Sequence, residues 1–141
     1  MIVEKRHIDG FTLLVVEGVI KLGESAQFFA QTLDRSLAND DGHVVIDFSG
    51  INYIDSTGIG ELVGYLGRFG DQSRKLILVN PSERITKLLE VARLAPLFPT
   101  YDSMEEAMRQ EARPAADDQA GDDSADSAGA SGGSGPGADA G

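Results

Sequence analysis

Val44-Val-Ile-Asp-Phe-Ser-Gly-Ile-Asn-Tyr-Ile-Asp-Ser-Thr-Gly-Ile-Gly60 sits at the centre of the chain and sets its organisation. Val44 to Phe48 is a short apolar run led by two β-branched residues, as in a strand covered on both faces. A connecting loop follows, with Ile51, Tyr53 and Ile54 expected to anchor inward. After Asp55, Ser56 and Thr57, the residues Ile59, Leu62, Val63, Leu66 and Phe69 recur on one side of a 3.6-residue helix. Ser56 therefore stands where a strand-side loop becomes the N-terminus of an amphipathic helix.

That place has physical consequences. The first N–H groups of a helix lack intrahelical partners, and the helix dipole makes this end weakly positive. The plain expectation is that Ser56 caps the helix, a contribution of ~1 kcal/mol. The alternative is a hydroxyl presented for chemistry, where a phosphate would be tolerated electrostatically.

The 141 residues suit one domain with one core. There is no cysteine, hence no disulfide framework and no thiolate metal site. No apolar run reaches the ~20 residues that span a bilayer, and the N-terminus carries no signal-peptide pattern, so a cytoplasmic protein is expected. The net charge of −11 is uneven. Six Asp lie beyond Pro114; setting them aside from the 23 acidic residues leaves 17 against 12 basic ones, or −5. An acidic body is a poor match for nucleic-acid phosphates. Arg68, Arg74, Lys75, Arg84 and Lys87 are read as parts of a solvated face.

Residues 2–8 and 11–18 read as strands joined by Asp9-Gly10, a strong hairpin signal, with Gly18 marking the end of the second and 19–23 a connector. Ala26, Phe29, Ala30, Leu33 and Leu37 give a first helix that fades at Asn39-Asp-Asp-Gly42. In the helix after Ser56, Gly60, Gly64 and Gly67 share one flank, each costing up to ~1 kcal/mol relative to Ala. They either let the helix lie close to a sheet or leave a smooth flank for a partner's backbone. Lys75 to Val79 reads as a further strand, with Leu76, Ile77, Leu78 and Val79 too apolar for an exposed face. Asn80-Pro81-Ser82-Glu83 predicts a helix capped by Asn80, with Ile85, Leu88, Leu89 and Ala92 inward. Pro96 and Pro99 leave room for a short edge strand near Tyr101, and Asp102-Ser-Met-Glu105 predicts a capped last helix to about Arg113. Strands alternating with helices imply an α/β fold with a mainly parallel sheet. Whether the helices cover one face or both stays open.

Little catalytic equipment accompanies Ser56. A serine nucleophile needs a nearby base, usually His. His7 lies on the first strand, and His43 belongs to the opposite end of the central strand from Ser56. The glycines make neither a Walker loop nor a Gly-x-Gly-x-x-Gly motif, and no ligand cluster suggests a metal. No enzyme activity, cofactor or metal is expected.

Residues 45–60, with the core Asp55-Ser-Thr-Gly-Ile-Gly60, resemble the signature of STAS domains, specifically bacterial anti-sigma factor antagonists. Leu22-Gly-Glu-Ser25, Arg84-Ile-Thr-Lys-Leu-Leu89 and Leu97-Phe98 through Tyr101-Asp102 to Glu106-Ala107 extend the resemblance. It implies a STAS-type α/β fold: a mixed, mainly parallel sheet of four to five strands packed with four helices, over residues 1–113. It further implies a switch protein that binds an anti-sigma factor serine kinase when unphosphorylated and so frees a sigma factor. The kinase would phosphorylate Ser56, with Thr57 the runner-up acceptor, and a PP2C-type phosphatase would reset it. Partner contact is expected from Asp55, Ser56, Thr57, Gly58, Ile59 and Gly60, with Asp55 either meeting the kinase or bonding local backbone N–H groups. The protein would be a monomer or weak dimer. Other single-domain relatives imply an alternative: a non-switching interaction module, such as a lipid-transport accessory subunit or a stress-signalling scaffold component. Residues 114–141, built of Ala, Asp, Gly and Ser with little to bury, are expected to be a disordered acidic tail.

Overall fold

The Asp9-Gly10 pair turns the chain with positive φ at both residues (49° and 86°), the geometry that matches the twist of a two-residue hairpin. It joins β1 (Ile2–Ile8) to β2 (Phe11–Ile20) in antiparallel register, with Ile8 opposite Phe11. The computed structural model describes residues 1–112, and Met1–Met108 form one compact unit. The domain boundary at 113 and the acidic tail over 114–141 lie outside the described residues.

After the hairpin come α1 (Glu24–Asn39), β3 (Val44–Ile54), α2 (Ser56–Gly70), β4 (Leu76–Val79), α3 (Glu83–Val91), a 3-10 turn (Ala95–Leu97), β5 (Thr100–Tyr101) and α4 (Met104–Glu111). The sheet order is β1-β2-β3-β4-β5, and every pair beyond the hairpin is parallel. This is the mixed, mainly parallel five-stranded sheet with four helices that the residues implied. The helices divide between its faces. Phe29 and Leu33 of α1, Leu62 and Phe69 of α2, and Ile85 and Leu89 of α3 pack on Leu14, Val16, Ile46, Phe48 and Leu78. Val45, Ile77 and Phe11 point the other way, where Met104, Ala107 and Met108 cover them. Alternation along each strand produces this split.

The central strand is twice the length of its apolar run. β3 continues past Phe48 through the segment expected to be a loop, and β2 continues past Gly18 to Ile20. Between Val15–Asp47 and Glu17–Gly50, and again between Gly18–Ile51 and Val19–Tyr53, β3 advances one residue more than β2. Each bulge resets the in–out alternation. Asp47 pins the first, accepting from the Ser49 N–H at 2.9 Å and the Ser49 hydroxyl at 2.7 Å. The second turns Tyr53 outward, 41% exposed, while Ile51 and Ile54 stay buried. The expected inward role of Tyr53 is therefore corrected.

Three other expectations change. α3 is capped by Ser82, whose hydroxyl accepts from the Ile85 N–H at 3.2 Å; Asn80 instead adopts φ 52° and donates its N–H to the Tyr101 carbonyl at 2.8 Å. Leu88 and Ala92 are exposed, because a nine-residue helix buries only Ile85 and Leu89. In α4 the capping hydroxyl is that of Ser103, which accepts from the Glu106 N–H at 3.1 Å.

Arg74 is the largest departure from the solvated-face reading. It is 5% exposed, and its guanidinium donates to the carbonyls of Gly42 (2.8 Å), Leu37 (3.2 Å) and Ser36 (3.2 Å) and to the Gln72 side chain (2.8 Å). It also lies over the Phe69 ring, 4.8 Å from the centroid. One cation thus supplies a donor to the Leu37 carbonyl in the last turn of α1, a second donor to the Ser36 carbonyl, which also accepts from the Asp40 N–H at 3.1 Å, and a donor to Gly42 beyond the helix.

Candidate functional site

The site forms where β3 ends and α2 begins. Asp55, and not Ser56, is the capping residue: its backbone is extended (φ −98°, ψ −175°) and its Oδ1 accepts from the Gly58 N–H at 3.0 Å. Both residues suit a cap, but the first backbone-helical position falls on Ser56. The other carboxylate oxygen, Oδ2, accepts from the Leu22 N–H at 2.9 Å, reaching the connector between β2 and α1. The Asp55 N–H meanwhile donates to the Ile20 carbonyl at 3.0 Å. The backbone bonds from Gly58 and then Leu22 hold the Asp55 carboxyl below its ordinary range, so it is a carboxylate at neutral pH. Asp55 thus does what the structural alternative for it required, bonding backbone N–H groups.

Relieved of capping, the Ser56 hydroxyl is exposed at the first turn of α2, and no described residue shares a side-chain hydrogen bond with it. Thr57 is half-buried, as expected for the less presented hydroxyl. Gly58 is buried, and a Cβ there would come 2.6 Å from Ile54 Cγ1 and 2.7 Å from Ile20 Cγ2. The α2 start rests directly on these two side chains, so Gly58 is a packing residue under the surface, not a contact on it. Ile59 is half-buried and Gly60 exposed. Of the six residues expected at a partner surface, Ser56 and Gly60 are presented, Asp55, Thr57 and Ile59 partly so, and Gly58 lies beneath them.

Gly60, Gly64 and Gly67 are exposed, and a Cβ at any of them would meet nothing within 4 Å. They do not bring α2 close to the sheet, and the close-packing explanation fails. What they leave is a smooth outer flank running along α2 from Gly60.

Around this spot sit exposed apolar side chains. Leu22 is 77% exposed and shares an open groove with Val19, Phe28 and Met1. Tyr53, opposite Val19 across β2 and β3, lies under the Arg84 guanidinium at 6.0 Å. In the sequence Leu22 stood out as part of Leu22-Gly-Glu-Ser25 and Tyr53 as an inward anchor, whereas Val19 and Phe28 carried no signal.

The histidines are remote. His43 precedes β3 and Ser56 follows it, so an 11-residue strand separates them, roughly 35 Å at ~3.3 Å per residue. His43 Nδ1 accepts from the Lys75 N–H at 2.9 Å. His7 is on the edge strand β1, paired with Asp40 at 2.9 Å. Among the described residues no three His, Asp or Glu side chains gather as a metal cluster, and no helix is long and apolar enough to cross a membrane.

Comparison with known proteins agrees with this architecture. The family profile of the STAS domain matches residues 3–107. A Thermotoga maritima protein named as a candidate anti-sigma factor antagonist is 23% identical over 106 residues, 75% of this chain and 94% of its own length. The anti-sigma-B factor antagonist of Staphylococcus aureus is 29% identical over 62 residues, 44% of this chain and 57% of its own. The phosphorylated form of the Bacillus cell fate determinant SpoIIAA superposes with a TM-score of 0.61 at 16% identity, over 77% of this chain and 98% of that one. With a profile match over most of its length and the Asp-Ser-Thr-Gly-Ile-Gly motif at the start of α2, this chain belongs to the STAS domain family.

Proposed function

We propose that this chain is an anti-sigma factor antagonist whose binding to an anti-sigma factor serine kinase is switched off by phosphorylation of Ser56. The observation that carries this reading is the Ser56 hydroxyl: exposed, unengaged and held at the first turn of α2 by the Asp55 cap. The names of the Thermotoga and Staphylococcus relatives support it. Kinase transfer has the Ser56 oxygen attack the γ-phosphorus of ATP while the bond to ADP breaks and the hydroxyl proton passes to a base on the kinase.

The geometry suits reversible use. A phosphate adds about −1.5 to −2 charge at neutral pH. At a helix N-terminus that charge does not oppose the fold, because unpaired N–H groups and the dipole favour it. In a docked interface the same charge brings repulsion and desolvation. The surface pressed by the partner comprises Ser56, Gly60 and the glycine flank, with Asp55, Thr57 and Ile59 at its margin. A PP2C-type phosphatase restores the binding form.

The test is affinity capture from the host lysate with wild-type and Ser56→Glu baits, read by mass spectrometry. A small ATP-binding serine kinase held by wild type and lost by the Glu variant is expected. Transport-complex or scaffold subunits held equally by both baits would replace this reading with a non-switching interaction module.

A further inference from the structure

The Asp55 carboxylate is shared between two elements, and this carries an inference about how the site works as a switch; it rests on the reading of Ser56 as the phosphoacceptor. Oδ1 holds the start of α2 through Gly58, and Oδ2 holds the β2–α1 connector through Leu22. The other hydrogen bonds of residues 21–25 are local. The Lys21 N–H donates to the Ser25 hydroxyl at 2.9 Å, that hydroxyl donates to the Lys21 carbonyl at 3.1 Å, and the N–H groups of Ala26 and Gln27 donate to the Lys21 and Gly23 carbonyls. Among the described residues, the Leu22–Asp55 bond is the tie from this connector to the helix that bears Ser56.

We propose that Asp55 is a positioning residue that couples Ser56 to the connector, so that a phosphate on Ser56 releases Leu22. The coupling is electrostatic and geometric. A phosphoryl group on Ser56 places three acceptor oxygens and about −1.5 to −2 charge on the residue adjoining the carboxylate. Two anions then compete for the few unpaired N–H groups at the start of α2. The helix donors are fixed in place, whereas the Leu22 donor belongs to a connector whose other bonds are its own. The Leu22 bond is the one that gives way. Leu22 is 77% exposed and lines the groove with Val19 and Phe28, so its release changes the shape of an apolar surface beside Ser56 as well as the charge. One modification would then remove two features a partner recognises.

The test needs no partner. The full chain carrying phosphoserine at position 56, installed by genetic-code expansion, is compared with the unmodified chain by amide hydrogen exchange read by NMR. Leu22 is expected to exchange about tenfold faster in the phosphorylated chain. The Asp55 and Ile59 amides, which donate to the Ile20 and Asp55 carbonyls, keep their protection and report an intact fold. Asp55→Asn should accelerate Leu22 without any phosphate, and phosphoserine added to that variant should change it no further. Ser56→Ala should leave Leu22 as in wild type. Unchanged Leu22 exchange in the phosphorylated chain overturns the coupling, as does full additivity with Asp55→Asn; the wild-type background decides alone if Asp55→Asn does not fold. Failure of the switch reading looks different: phosphorylated chain that still binds the kinase as tightly as unmodified chain, whatever Leu22 does.

Discussion

The two ends of the parallel strands are built in opposite ways. At the N-terminal end polar groups pair with one another. Arg74 takes up three backbone carbonyls, His43 accepts from Lys75, and Asp40 holds Lys5 at 2.6 Å, His7 at 2.9 Å and the Ser36 hydroxyl at 2.9 Å. At the C-terminal end one carboxylate, Asp55, does the organising, and it leaves Ser56, Leu22 and Tyr53 facing solvent. Open α/β sheets place their ligands beyond the carboxyl ends of the strands. Here the closed end is the one tied by polar pairs, and the open end is where the partner surface proposed above lies.

On that division, substitutions of the paired polar groups at the closed end should lower stability, and those of the exposed residues at the open end should not. Arg74→Ala gives the largest effect. It removes the side-chain donor of the half-buried Leu37 and Gly42 carbonyls and one of the two donors to the Ser36 carbonyl, and should cost about 3 kcal/mol in urea unfolding, with the surface around Ser56 unchanged in whatever stays folded. A loss below about 1 kcal/mol would show that water replaces the guanidinium.

Acid should act at the same end. Burial alone would raise the Asp40 carboxyl, but hydrogen bonds from Lys5, His7 and Ser36 overcome this and hold it at about 2, against an ordinary 3.8. A depressed folded value means stability present above the unfolded value and lost as pH falls through the folded one. Between about pH 4 and pH 2 the chain should lose roughly 2 kcal/mol through this group. Urea midpoints across that range check it, and Asp40→Asn should flatten the slope.

The open end sharpens the contrast through its glycines. Gly58→Ala must displace Ile54 and Ile20 and should cost about 2 kcal/mol. Gly64→Ala meets nothing within 4 Å and should stabilise α2 by ~0.5–1 kcal/mol while weakening kinase binding if the flank is pressed by a partner. Paired melting and binding titrations separate the two effects. Ser56→Ala should give the smallest change, within ~0.5 kcal/mol, because Asp55 provides the cap. A larger loss would return Ser56 to a structural role.

Local chemistry was legible in the sequence where neighbouring residues decide the outcome. Asp9-Gly10 fixes its own turn, and the periodic stripes of α1 and α2 find the core, though α2 also buries Tyr65, whose hydroxyl donates to Asp34 at 3.3 Å. Competition among adjacent residues was not legible. Asp55 and Ser56 both suit a cap, as do Asp102 and Ser103, and only the backbone chooses. Register was hidden as well, because the bulges of β3 extend a strand through polar sequence and turn Tyr53 outward. Least visible were links across the chain: nothing around Arg74 announces the end of α1 more than 30 residues earlier, and nothing around Leu22 announces Asp55, equally distant. The turn from β3 into α2 was readable from Asp55-Ser-Thr-Gly-Ile-Gly60, while the tie from Asp55 to Leu22 was not.

The most direct measurement is phosphorylation itself. The captured serine kinase, purified, is incubated with the full chain and Mg-ATP; the modified residue is located by mass spectrometry and the affinity of both forms is titrated. A single phosphate on Ser56 and a large loss of kinase affinity are expected. A chain left unmodified at Ser56, or one that binds equally well with the phosphate in place, would contradict the switch reading.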